Sequence, residues 1–215
     1  MIDWFKQVPS KDKCHFINFD IESFYPNISS ELLNKALDWA QQYVDISCED
    51  RDIILTAKHM LLYNNGNPWT KKNSDSSHDV TMGSFDGAET CELIGLYCLC
   101  QIQDQEKDIN VGLYRDDGLC ASSLTRRQND MLKKRICKTF KDNGLNITIE
   151  CNKTTIDFLD VTLDLHNDIF KPYIKPNEII QYVNKQSNHP PHVQKNIPKG
   201  INTRLSMLSA NKTVF

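Results

Sequence analysis

Three aspartates in this chain could act together. Asp116 and Asp117 are adjacent, between the apolar run Val111-Gly112-Leu113-Tyr114 and Gly118-Leu119. Asp20 ends another apolar run, Cys14-His15-Phe16-Ile17-Asn18-Phe19. Neighbouring carboxylates repel, so a chain that sets two at a hairpin tip either needs a turn there or holds a divalent cation. Magnesium binds a few carboxylates and fills its other positions with water and phosphate oxygens. Two such ions about 4 Å apart can activate an attacking 3′-hydroxyl and stabilise leaving pyrophosphate. Taken alone, Asp116-Asp117-Gly118 reads as a solvated turn and Asp20 as a helix cap or surface residue. The combination says more, because each site follows an apolar strand and is flanked by an aromatic, Phe19 or Tyr114.

The elements that must position these residues follow from spacing. Residues 14–19 read as a buried strand, and Pro26 turns the chain away from it. Ser29 or Ser30 caps a helix with Leu32, Leu33, Ala36, Leu37 and Ala40 at helical spacing. A second helix follows Ser47, with Asp50 as capping partner and Ile53, Ile54, Ala57, Met60 and Leu61 as its buried stripe. Residues 64–81 are the least core-like and read as a loop or ribbon. Gly83 to Ala88 leads into an apolar helix over Cys91–Ile102. Residues 111–119 read as strand, paired carboxylates, glycine turn and second strand. Thr125-Arg126-Arg127-Gln128 spells a capping box, and Asn143-Gly144 ends its helix. Alternation predicts strands over 145–151 and 156–165, the latter with Leu159, Val161, Leu163 and Leu165 on one side. Beyond Pro176 the chain is rich in Pro, Asn and Lys. The order is that of an α+β fold, an antiparallel sheet with helices on one face in a split βαβ, ferredoxin-like arrangement.

Composition narrows the classes. The chain has 215 residues, 40% hydrophobic and 25% charged, ordinary for a globular protein. It has no run of about 18 apolar residues, so no transmembrane helix is expected. Its N-terminus does not read as a secretory signal. Eight cysteines without a Cys-x-x-Cys pair point to reduced thiols in an intracellular setting, nucleus or cytoplasm. Cys98 and Cys100 read as core residues of the apolar helix. The net charge of −3 divides into +6 over residues 171–215 and −9 over the remainder. A basic arm on an acidic body suits phosphate contact by the arm and metal binding by the body.

Phe19-Asp20-Ile21-Glu22-Ser23-Phe24-Tyr25-Pro26-Asn27-Ile28 resembles the first catalytic motif of reverse transcriptases, and Tyr114-Arg115-Asp116-Asp117 matches their Tyr-x-Asp-Asp motif. Met82-Gly83-Ser84-Phe85-Asp86-Gly87-Ala88 stands where their template- and nucleotide-facing motif would, with Met82 in place of Gln and Gly87-Ala88 in place of Ser-Pro. Gly144-Leu145-Asn146-Ile147 with Asn152-Lys153-Thr154, and Phe158-Leu159-Asp160-Val161, resemble the next two motifs. The tail, with Lys175-Pro176, Ser187-Asn188-His189-Pro190-Pro191, Lys195-Asn196-Ile197-Pro198 and Arg204-Leu205-Ser206, is similar to Penelope-like retroelement polymerases.

The resemblance implies an RNA-directed DNA polymerase, a nucleotidyltransferase extending a primer on an RNA or DNA template with deoxynucleoside triphosphates. Asp20 and Asp116 would hold two Mg2+ ions (Mn2+ being an alternative), aided by the Ile21 carbonyl and Asp117. Tyr25 would exclude a ribose 2′-hydroxyl, or else simply pack under the strand. Gly83 would let the backbone approach the incoming base pair. Lys153 would stand near the leaving phosphates, or be a solvated loop lysine. Tyr114, Lys171, Lys175, Lys185, Lys195, Lys199 and Arg204 would contact nucleic acid. Residues 1–13 are expected as a lead-in, 14–165 as palm and 166–215 as a basic thumb-like segment. With 19 residues before Asp20, the family's fingers region is expected to be largely absent. Two alternatives stay open. One is an inactive fragment or domesticated nucleic-acid-binding module with the same fold. The other is an unrelated domain with Asp116-Asp117 as a calcium-binding or structural turn, which requires Asp20 to lie far from Asp116.

Overall fold

The structure is a computed structural model describing residues 1–59, 62–69, 77–106, 109–177, 182–184, 186–211 and 213. In chain order its elements are α1 (Ile2–Gln7), a 3-10 turn (Lys11–Lys13), β1 (His15–Ile21), α2 (Phe24–Asn27), α3 (Ser30–Ala40), α4 (Cys48–Thr56), β2 (Leu62–Asn64), β3 (Asn67–Trp69), α5 (Gly87–Gln105), β4 (Asn110–Tyr114), β5 (Asp117–Ser122), α6 (Arg126–Asp142), β6 (Ile147–Lys153), β7 (Thr155–Phe158), β8 (Val161–Asp164), β9 (Ile169–Pro172) and α7 (Pro191–Met207). The chain divides into two compact units, residues 17–151 and residues 1–16 with 152–215. The boundary expected near residue 165 falls inside the second of these.

The 17–151 unit is built on a sheet of order β4-β5-β1-β6. Of these strands, β1 comes first in the chain, β4 and β5 form a hairpin and β6 comes last. That is the order of a split βαβ fold. The end of β1 meets the starts of its neighbours: the Ile21 N–H donates to the Asp116 carbonyl and the Glu22 N–H to the Asn146 carbonyl, both at 2.9 Å. β1 therefore runs antiparallel to β5 and β6. One apolar cluster fills the sheet's helix-covered face. It takes Ile17, Phe19 and Ile21 from β1, Leu33 and Leu37 from α3, Ile94 and Cys98 from α5, and Leu132, Ile136 and Phe140 from α6.

Local chemistry explains the helix ends. Ser29 accepts from the Leu32 N–H and Ser47 from the Asp50 N–H, as N-caps do. Thr125 and Gln128 form the reciprocal capping box. Gly144, at φ +76°, lets the chain leave α6. The stripe expected on α4 is not buried as a stripe. Ile53 is 66% exposed, and only Ile54 and Leu55 pack against the core. The helix ends at Thr56, a turn short of Met60 and Leu61, which lie outside the described residues. Part of the expected ribbon is present as the β2–β3 hairpin, turned by Asn65-Gly66, both at positive φ.

The second unit carries the antiparallel sheet β7-β8-β9 and α7. Phe158 pairs with Val161, so Leu159-Asp160 is a two-residue turn and not mid-strand. Leu159 stands exposed at φ +55°, and the buried set shifts from even positions (Ile156, Phe158) to odd ones (Val161, Leu163, Leu165). The N-terminal residues are more than a lead-in. Phe5 of α1 is fully buried, its ring 6.3 Å from those of Phe16 and Phe170. The helix α7 runs through the stretch whose sequence is rich in Pro, Asn and Lys. Pro191 sits in its first turn, where the missing N–H costs nothing. Among the described residues no helix is long and apolar enough to cross a membrane.

Candidate active site

The β4–β5 hairpin pairs Tyr114 with Asp117, which leaves Arg115-Asp116 as the two turn residues. Arg115 holds φ +56°. A left-handed conformation costs a non-glycine residue about 1–3 kcal/mol, and such strain gathers at functional turns. The expected glycine turn is thus displaced: Gly118 lies inside β5. It is glycine for a different reason. A Cβ added there would fall on the Phe19 ring, which spans the space between β1 and β5. Phe19 is 2% exposed and its ring is 5.3 Å from that of Phe140.

This packing orients the carboxylates. Side chains alternate along a strand. Phe19 and Gly118 meet on the helix-covered side, so Asp20, which is exposed, and Asp117, which is half-buried, project from the opposite face. Asp116 sits at the tip between them, joined to β1 through its carbonyl at 2.9 Å from the Ile21 nitrogen. The separation in space that an unrelated turn would require is not found. Burial, then the charges of Asp116 and Glu22, raise Asp20 above the ordinary carboxylate value. Glu22 in turn accepts from the Thr148 hydroxyl at 2.7 Å. The Ile21 side chain is in the core, so any ligand role falls to its backbone.

Among the described residues no three His, Cys, Asp or Glu side chains converge as a metal-binding group. A protein-built cage is therefore absent there, whereas magnesium needs only one or two carboxylates when phosphate and water supply the rest. Asp20 and Asp116 fit that requirement on the repulsion already noted, which a bound cation would relieve.

Tyr25 lies in α2, buried except for 8% of its surface. Its hydroxyl hydrogen-bonds the Cys91 thiol and senses the charges of Arg115 and Asp116. Burial is the main cause raising Tyr25, and it pushes Cys91 up to about 11. Gly87 makes room for the loop ahead of α5: a Cβ there would stand 2.6 Å from Ser84 Oγ and 2.7 Å from the Thr81 carbonyl, and only in ordinary contact, at 3.6 Å, with the Tyr25 ring. Cys91, one turn beyond Gly87 on α5, is thus the hydrogen-bonding seat of Tyr25. Gly83 takes φ +88° with no atom within 4 Å of a would-be Cβ, so its backbone is open to an approaching molecule. Tyr114 is exposed, with the Arg115 guanidinium 5.6 Å from its ring centre.

The other expected residues lie in the second unit. Lys153 ends β6 and is exposed. Lys171 and Lys175 are exposed, as are Lys195 and Lys199 on α7, and Lys185 lies outside the described residues. Arg204 pairs with Asp160 at 2.6 Å, both largely exposed. His189 and His192 are exposed. All eight cysteines are free thiols.

Nothing in the sequence announces Lys58. It follows α4 and is fully buried, bonded to Asp86 at 2.5 Å. A lone lysine after a helix carries no such signal, though Asp86 ahead of an apolar helix reads as an N-cap. Cys91 was likewise absent from the expected site, since a cysteine in an apolar run reads as core.

No known family matches the sequence, and no curated protein does. Solved structures do match. A C-terminally truncated apo telomerase from Candida tropicalis superposes with TM-score 0.59 at 12% identity, over 80% of this chain and 39% of that one. Telomerase from Candida albicans, solved in complex with a fragment of telomeric RNA, gives TM-score 0.59 at 12% identity, over 95% of this chain and 36% of that one. The RNA-dependent RNA polymerase of a human picobirnavirus gives TM-score 0.54 at 12% identity, over 76% and 31%. The chain thus spans between about a third and two fifths of the length of these proteins. At such identities the likeness is one of fold, and the fold this chain shares with them is that of a nucleic-acid polymerase palm.

Proposed function

We propose that this chain is the palm of a reverse transcriptase from a mobile element, of Penelope-like type, extending a primer 3′-end with deoxynucleotides on an RNA template. The observation that carries the reading is the hydrogen bond from Ile21 to Asp116, which joins the two segments whose aspartates the reaction needs. Asp20 and Asp116 would hold two Mg2+ ions, or Mn2+ in their place, with the Ile21 carbonyl and Asp117 in support. When bound, such ions lower the pKa of the attacking hydroxyl and offset charge on the leaving oxygen.

The chain's own residues bind and orient. Tyr25, buried and hydrogen-bonded to Cys91, holds a ring that would meet a ribose 2′-hydroxyl. Gly83 offers an uncovered backbone to the incoming base pair. Lys153 would supply a proton to the departing pyrophosphate. Tyr114 and the basic residues Lys171, Lys175, Lys185, Lys195, Lys199 and Arg204 would hold primer and template, by stacking and by phosphate contact respectively. The setting would be nuclear or cytoplasmic.

Primer extension on matched RNA and DNA templates, with deoxynucleotides or ribonucleotides, tests this. The expected result is magnesium-dependent DNA synthesis on RNA, with ribonucleotide use rising about tenfold or more in Tyr25→Ala. Extension confined to ribonucleotides would instead indicate an RNA polymerase.

A further inference from the structure

Residues 79–86 form a short loop ahead of α5, and both of its ends are tied to one residue. At the first end, the Asp79 N–H donates to the Lys58 carbonyl at 2.8 Å. At the other, the Lys58 ammonium donates to Asp86 Oδ2 at 2.5 Å. Between them the loop is laced internally. The Thr81 hydroxyl donates to Asp79 Oδ2 at 2.8 Å and the Ser84 hydroxyl to the Thr81 carbonyl at 2.9 Å. The Gly87 N–H donates to the Ser84 carbonyl at 3.3 Å. What stands out from this base is a crown: Met82 at 75% exposure, Phe85 at 102%, and Gly83 with open space around it.

Stability alone does not account for a lysine at this position. Its side chain is 1% exposed, and burying an ammonium costs several kcal/mol before its partner compensates. An apolar residue of similar length would serve a core as well or better. Asp86 points the same way. It is the N-cap of α5, yet its side chain makes no cap hydrogen bond. An aspartate there ordinarily accepts from first-turn N–H groups and so stabilises the helix. Here that carboxylate is turned to Lys58 instead.

We propose that Lys58 is a positioning residue: its ammonium staples the Asp86 end of the 79–86 loop, whose Asp79 end rests on its backbone carbonyl, and so holds the Met82–Phe85 crown in one conformation, ready to meet the flat face of a nascent base pair. The proposal rests on the polymerase reading above. A thioether, a phenyl ring and an uncovered glycine backbone are what an apolar, planar partner would meet. Lys58 itself touches no substrate. Loosening the crown would lower the fraction of molecules competent to take the nucleotide, and apparent affinity falls in proportion to that fraction.

The test uses Lys58→Met, which keeps the length and removes the charge. The Asp86 carboxylate, 36% exposed, can then turn to water. Hydrogen exchange on 79–86 should accelerate about tenfold or more while exchange in α3 and α6 is unchanged. In primer extension the KM for the incoming nucleotide should rise about tenfold, with kcat within about twofold of the parent. Asp86→Asn, which retains an acceptor for the lysine, should fall between parent and Lys58→Met in both. Unchanged exchange over 79–86 in Lys58→Met overturns the staple. So does faster exchange in α3, α6 and the loop alike with KM unchanged, which would mark an ordinary core residue. If the parent chain extends no primer, the polymerase reading fails and the crown's role fails with it, while the exchange result still decides the staple.

Discussion

Gly118→Ala probes the packing that orients the carboxylates. A methyl group there would occupy the space of the Phe19 ring. The ring cannot simply swing aside, since it is 2% exposed and lies 5.3 Å from the Phe140 ring. Overpacking a filled core costs about 1–3 kcal/mol, and contact with a ring pinned from its other side places this case at about 2–3. For a chain of this size each kcal/mol shifts Tm by about 2–4 °C, so melting should fall by about 4–12 °C. Phe19→Leu loses aromatic burial but frees the space. The double variant Phe19→Leu/Gly118→Ala should therefore be more stable than the sum of the two losses allows, by about 1 kcal/mol or more. Because Phe19 precedes Asp20 and Gly118 follows Asp117, displacing the ring also shifts the carboxylates, and misplacement by about 1 Å can cost about 10²-fold in rate. Circular-dichroism melts of parent, single and double variants supply the measurement. An unchanged Tm in Gly118→Ala, or strictly additive losses, would refute the packing argument.

Two further outcomes follow from the same fold. Burial is the main cause holding the His78 imidazole below its ordinary value of 6.5. Below 6.5 the unfolded chain takes up a proton that the folded chain refuses, so the stability this provides is full above that pH and is lost as pH falls. His78→Gln should flatten the acid side of the stability–pH curve, as urea titrations at stepped pH would read, and an unaltered slope would exclude His78 as its source. Thr125→Ala removes the hydroxyl half of the capping box on α6, leaving the Thr125 backbone N–H on Gln128, and should cost about 1 kcal/mol in chemical denaturation, and no loss would mean that the hydroxyl cap is redundant.

What the sequence made legible was local chemistry and the order of elements. Ser29, Ser47, Thr125-Gln128 and Gly144 announce helix ends through hydrogen bonds within a few residues, and all four behave as expected. The split βαβ order follows from where apolar runs alternate. What was not legible depends on partners far along the chain. Gly118 reads as a turn glycine, but its reason is Phe19, on another strand. Leu159 fits an alternating strand until Phe158 pairs with Val161 and turns the chain at that point. Lys58 gains its meaning only from Asp86, 28 residues away. In α7, Pro191 and Pro198 mask a helix, and the segment after it is tied down by a tertiary bond, the Ala210 N–H on the Phe170 carbonyl at 3.0 Å.

The proposed reaction depends on Asp20 and Asp116 acting as a pair. Primer extension with the purified chain on an RNA template, comparing the parent with Asp20→Asn and Asp116→Asn, with and without EDTA, tests it most directly. The parent should extend the primer, with EDTA abolishing and Mg2+ restoring the activity, and neither variant should extend it while both keep the parent's melting temperature. Extension by either variant at the parent's rate, or extension indifferent to EDTA, would contradict it.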